Sequence, residues 1–190
     1  MATNQDAAFG LRAIGKVGQN RDNQGLSEYS IAASASAIYQ NDPVKALNTG
    51  TIGVAAAGDV LLGSLNGVFY TDASTSKPTW SNHLEASNAA TDIVGFVADD
   101  PYERFEIQSN NSGASAQTDV FNDADIAYTA GATPNFVSKV ELDDATLGAT
   151  NGQLKIVGVS KDPDNSDLAS ANVNWIVIIN EHFLKQVAGV

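Results

Sequence analysis

The chain has 190 residues and a net charge of −12, from 22 acidic against 10 basic side chains, and it contains no cysteine. A chain of that length suits a single domain that buries about 70% of its unfolded surface. The acidity excludes the basic stripe that nucleic acid or an anionic membrane surface needs, and the missing thiols exclude disulfides, thiolate metal sites and cysteine nucleophiles.

Residues 1–25 read as an extended N-terminal arm. Their apolar members Phe9, Leu11, Ile14 and Val17 are irregularly spaced, and the stretch is rich in Gly and Asn. Fully extended, it would reach roughly 80 Å, past the edge of a domain of this size. Within it, Gly10, Gly15 and Lys16 match most of a Walker A loop. Val17 stands where a Ser or Thr must hold magnesium, and the polar "MATNQDAA" upstream cannot be a buried parallel strand. Downstream, "GQNRDNQG" makes a poor helix, so no nucleotide site is expected. Residues 1–21 carry Arg12, Lys16 and Arg21 against Asp6, a net of +2 that leaves −14 on the remainder. A mildly basic arm on an acidic body suggests docking onto an acidic neighbouring surface; a tail with scattered charges is the plainer alternative. Phe9, Leu11, Arg12, Ile14 and Lys16 are the candidate interface residues, and the body is expected to fold without residues 1–20.

Residues 26–190 then read as one all-β domain of short strands. "LSEYSIA" (26–32) and "SAIYQ" (36–40) come first, before Asp42-Pro43 breaks the run; "TIGVAA" (51–56) and "DVLLGSL" (59–65) follow. Asn66-Gly67 and Asn151-Gly152 are hairpin signals, because Asn and Gly tolerate the positive φ of a type I′ turn. "DIVGFVADD" (92–100) and "RFEIQ" (104–108) read as a pair joined across Pro101, and "FVSKVEL" (136–142) alternates with Phe136, Val140 and Leu142 on one face. "VNWIVIIN" (173–180) is apolar on both faces, as a central strand is, with Val173, Trp175, Val177 and Ile179 directed inward. Helical signal is confined to short pieces near 119–128 and 180–187. The pattern predicts a single β-barrel or β-sandwich with short helical pieces.

Chemistry is sparse. His83 and His182 are the only histidines, and no nucleophile-elbow or zinc-helix motif accompanies them. "KDPDNSD" (161–167) places Asp162, Asp164 and Ser166 at the first positions of an EF-hand-like loop, but its Gly and Glu are replaced by Asp167 and Val173. An acidic turn is expected there, with calcium as the alternative. "ADDPYERFE" (98–106) clusters carboxylates of the type a glycosidase pairs, and Trp80 gives only thin support to a sugar platform. No catalytic residue, cofactor or metal is expected, and no signal peptide or membrane-spanning stretch is read.

"DAAFGLRAIGKVGQN", "SIAASASAIYQNDPVKAL", "VFYTDASTSKPTW", "VGFVADDPYERFEIQ", "VELDDATLG", "QLKIVGVSKDPDN" and "VIINEHFL" follow one another in an order that resembles the capsid decoration, or cement, proteins of tailed bacteriophages. The likeness runs from about residue 6 to residue 184. It implies a β-barrel or β-tulip body with an N-terminal arm, and small homo-oligomers, often trimers. It also implies the major capsid protein as partner and a place on the outer surface of the head after synthesis in the host bacterial cytoplasm. A tail or neck component, or a carbohydrate-binding host-attachment module, is the alternative.

Overall fold

The computed structural model describes residues 4–18, 25–110, 115–148, 150–186 and 189–190. Thirteen strands run in chain order: β1 (Arg12–Lys16), β2 (Ser27–Ser30), β3 (Pro43–Ala46), β4 (Ile52–Val54), β5 (Gly63–Thr71), β6 (Pro78–Ser81) and β7 (Val94–Ala98). Then follow β8 (Glu103–Gln108), β9 (Asp123–Ala124), β10 (Ile126–Ala127), β11 (Glu141–Leu142), β12 (Leu154–Val159) and β13 (Asn174–Ile179). The helical pieces are three short 3-10 turns at Gln117–Asp119, Asp144–Thr146 and Phe183–Lys185.

All named strand pairs are antiparallel, in three sheets. A five-stranded sheet has the order β1-β8-β13-β12-β9, and a six-stranded sheet has the order β2-β7-β5-β3-β4, with β6 also paired to β5; β10 and β11 form a small third sheet. None closes into a barrel, so the all-β fold is of the sandwich type.

β13 is the middle strand of the five-stranded sheet, and its alternation decides what that sheet buries. Val173, Trp175, Val177 and Ile179 are all inaccessible to solvent and pack with Phe105, Ile107, Leu154 and Ile156. A second cluster, with Ile38, Val44, Leu62, Leu65, Val68 and Leu84, serves the six-stranded sheet. Leu61, just before β5, and Ala98, the last residue of β7, pack into the first cluster and tie the two layers together.

The structure departs from the local signals at five places. Asn66-Gly67 is no hairpin: β5 runs straight through it, with a register shift against β7 between Leu65 and Gly67. Asn-Gly relaxes the backbone for a bulge as readily as for a turn, and here both sides of β5 are paired. At the second pair only Asn151 takes positive φ (63°), ahead of β12. β7 and β8 follow one another but do not pair, because β7 is already flanked by β2 and β5; the chain crosses from one sheet to the other at Asp99–Tyr102. In 136–142, Val140 and Leu142 are buried as expected, whereas Phe136 sits in a turn at φ 53°.

The fifth departure is the arm. Residues 12–16 form β1, the edge strand of the five-stranded sheet, and Leu11 is fully buried in the first cluster. Residues 4–18 of the leader are thus packed onto the body.

Candidate interaction surfaces

Long-range polar contacts, not apolar periodicity, hold the leader in place. The Arg12 guanidinium pairs with Glu106 and lies 4.4 Å over the Phe9 ring. The Gly15 amide donates to Glu103 Oε1 at 2.9 Å, and Lys16 Nζ pairs with Asp100 at 2.7 Å. That bond raises the Lys16 pKa and lowers that of Asp100. Burial pushes the Glu103 carboxyl up, with the Gly15 amide offsetting part of the effect. Ser64 Oγ donates to the Leu11 carbonyl, and the Asn41 amide side chain donates to the Phe9 carbonyl at 3.0 Å. Gly10, at φ 75°, passes so close that a Cβ there would meet Ser138 Cβ at 2.4 Å and the Asn41 carbonyl at 2.5 Å.

Of the five residues expected to grip a neighbour, Leu11 is spent in the chain's own core, and Arg12 and Lys16 are paired to its own acids. Phe9 is half-buried beneath Arg12. Ile14, at 41% exposure, is the one left open, with Val17 beyond it. The near-Walker stretch is an edge strand whose lysine is engaged by Asp100; Arg21 lies outside the described residues.

The acids of 98–106 serve as fasteners. Asp99 accepts from Ser27 Oγ at 2.8 Å and from the Tyr29 hydroxyl at 2.6 Å; burial, then that bond, pushes Tyr29 up to about 12. Glu106 accepts from Ser160 Oγ as well as from Arg12. In 161–167, Asp162 Oδ1 caps the Asp164 amide, Asp167 accepts from Ala169 and Ser170, and Asn165 donates to the carbonyls of Gln5 and Asn172. The loop thereby also holds the leader. Among the described residues no three acidic or His side chains are grouped so as to hold a metal ion.

The two histidines occupy separate environments. His182 is fully buried, its Nδ1 accepts the Leu184 amide, and burial, followed by Lys185, pushes it down to about 4, so the ring is neutral. His83 is stacked on Phe136 at 3.9 Å between centroids, with Tyr39 beyond it at 6.3 Å. Asp42 is also fully buried. Its Oδ2 accepts the Tyr39 amide while Oδ1 has no hydrogen-bond partner, and burial pushes it up to about 6, with the nearby Ser138 hydroxyl offsetting part.

The feature that local reasoning undervalued lies on the outer face of the six-stranded sheet. Phe69 and Trp80 are cross-strand partners on β5 and β6, exposed by 41% and 54%. The Trp80 ring packs against Phe96 of β7, with centroids 5.0 Å apart and a 53° tilt. It passes over Gly67, where a Cβ would meet Trp80 Cζ2 at 2.6 Å. The signal was present: in "VFYT", Val68 is buried in β5, so strand alternation turns Phe69 outward.

No family model matches the chain, and neither a curated protein nor a solved structure does. No helix of the described residues is long and apolar enough to cross a membrane.

Proposed function

We propose that the chain is a structural component of a tailed-phage virion that decorates the head and bridges capsomers, as the sequence resemblance implies. What supports this reading is the resemblance carried, in order, by the phrases between about residue 6 and residue 184. The use of the ionisable groups agrees with it. Asp99, Asp100, Glu103 and Glu106 each fasten one element to another, as in a body built to be rigid. Such a protein works by multivalency: several modest contacts from a homo-oligomer become effectively intramolecular once the first is made, and they stabilise the lattice they bind. With most of the leader engaged at home, the grip on the major capsid protein falls to exposed surface, that is, to Ile14, Val17 and the aromatic sheet face.

Antibody raised against the chain and imaged on particles from the source culture tests the proposal. Label spread over the outside of the head is the expected result. Label confined to one ring at a tail or neck favours the tail reading, and particles without label overturn a virion role.

A further inference from the structure

On the outer face of the six-stranded sheet, Glu28 of β2, Phe96 of β7 and Gly67 of β5 form one cross-strand row. The Trp80 indole covers the Gly67 end of that row and touches Phe96. Phe69 and Val94, paired to each other, lie in the next row of the same face. The Trp80 ring is therefore fixed from below and from one side, while the residue stays 54% exposed. Glu28 is exposed, and its carboxylate has neither a hydrogen-bond nor an ion-pair partner among the described residues. Adjacent strands are about 4.8 Å apart, so this carboxylate stands one strand beyond the Trp80–Phe96 contact.

A held, half-open indole that overhangs a row ending, beyond Phe96, in an unpaired carboxylate is complementary to one side chain above others. A guanidinium stacks on an aromatic face, is less tightly hydrated than an ammonium, and presents a planar fork to a carboxylate. Neither of the chain's own cation–aromatic contacts among the described residues, Arg12 on Phe9 and Lys185 on Tyr102, involves Trp80. The net charge of −12 also favours a cationic occupant. We propose that this face receives an arginine side chain from an extended segment of a partner protein, with the guanidinium stacked on Trp80 and paired with Glu28. The proposal concerns the chemistry of the partner and stands apart from whether that partner belongs to a phage head.

The test is a titration of the full chain with a blocked peptide, Gly-Arg-Gly-Arg-Gly, followed by the indole N–H resonances of the two tryptophans. A saturable shift of Trp80 with Trp175 unmoved is expected. It should vanish when citrulline replaces both arginines, and Glu28→Gln should weaken it about two- to fivefold, the range of an exposed charge pair. Glu28→Gln changes an exposed side chain and leaves the core untouched, so folding does not confound it. An equal response to the citrulline peptide, no saturable shift, or an unaffected Glu28→Gln protein overturns the proposal. So does a Trp80 shift with cellohexaose in place of the arginine peptide, which would make the face a sugar platform.

Discussion

The chain has two tryptophans, and they do opposite work. Trp175 is fully buried on the central strand of the five-stranded sheet, surrounded by the larger hydrophobic cluster. Trp80 lies on β6, which among the described residues pairs only with β5, its ring laid across a glycine and half open to solvent. One sheet spends its large aromatic on cohesion; the other displays its own. If the difference is real, stability and binding separate between the two sheets, and substitutions should sort accordingly.

The largest effect belongs to the buried partner. Trp175→Ala should cost about 3–5 kcal/mol, the transfer term of a large aromatic plus that of the cavity left behind. Urea unfolding measures it; a midpoint indistinguishable from wild type would mean that β13 is not the centre of the core.

Leu11→Ala comes next, at about 2–5 kcal/mol, because this fully buried side chain of the leader packs in the same cluster as Trp175. This replaces the expectation that the body folds without its first residues. An unchanged midpoint would return the leader to the status of a loose arm.

How far these two regions could be read from residues alone differs for a physical reason. β13 was legible because "VNWIVII" declares its burial within a few positions: Val173, Trp175, Val177 and Ile179 alternate into one apolar cluster, while Ile176 and Ile178 are half-buried on the other face. β1 was not. Its stability comes from Glu103, 88 positions from Gly15, and from Glu106, 94 positions from Arg12, and no local periodicity reports such partners. Asn66-Gly67 misled for a related reason: the dipeptide marks a relaxed backbone, and only the strands beside it decide between a turn and a bulge. Among the candidate contact residues, Arg12 and Lys16 carried the right charge for an acidic surface, but that surface belongs to their own chain. The exposed face of Trp80 was half visible, since Thr79 and Ser81 flank a lone apolar residue on a four-residue strand.

Charge sharpens the comparison further. Asp42 supplies a backbone-capping carboxylate to the six-stranded sheet's core region, and its pKa is pushed up to about 6 from 3.8. The folded state holds this proton more tightly than the unfolded chain does. Its contribution is therefore fully present below about pH 4 and is lost as the pH rises through about 6. A shift of about 2 pKa units corresponds to about 3 kcal/mol. Asp144, also pushed up to about 6 by burial, acts in the same direction, whereas His182, pushed down to about 4, acts in the opposite one. The wild-type profile mixes all three, so the informative quantity is the difference between wild type and Asp42→Asn. That difference should move in favour of the variant by about 2 kcal/mol between pH 4 and pH 7. A constant difference across that range would show that Asp42 is ionised at both ends.

The smallest effect should be that of Trp80→Ala, and it is the most discriminating. The ring buries one side against Gly67 and Phe96, a contact that shields a glycine within a strand and is worth keeping. The rest of the side chain faces water, so its removal forfeits only part of the burial that Trp175 enjoys. A loss of about 1 kcal/mol or less is expected, near the usual range for surface positions. The two tryptophan substitutions, measured in the same urea series, should thus differ severalfold. Should Trp80→Ala cost as much as Trp175→Ala, the outer face of the six-stranded sheet would be a second core, and its aromatic surface would have nothing to spare for a partner. A small loss leaves that surface free, because a half-exposed indole that contributes little to folding has its remaining apolar area available for contact with another molecule.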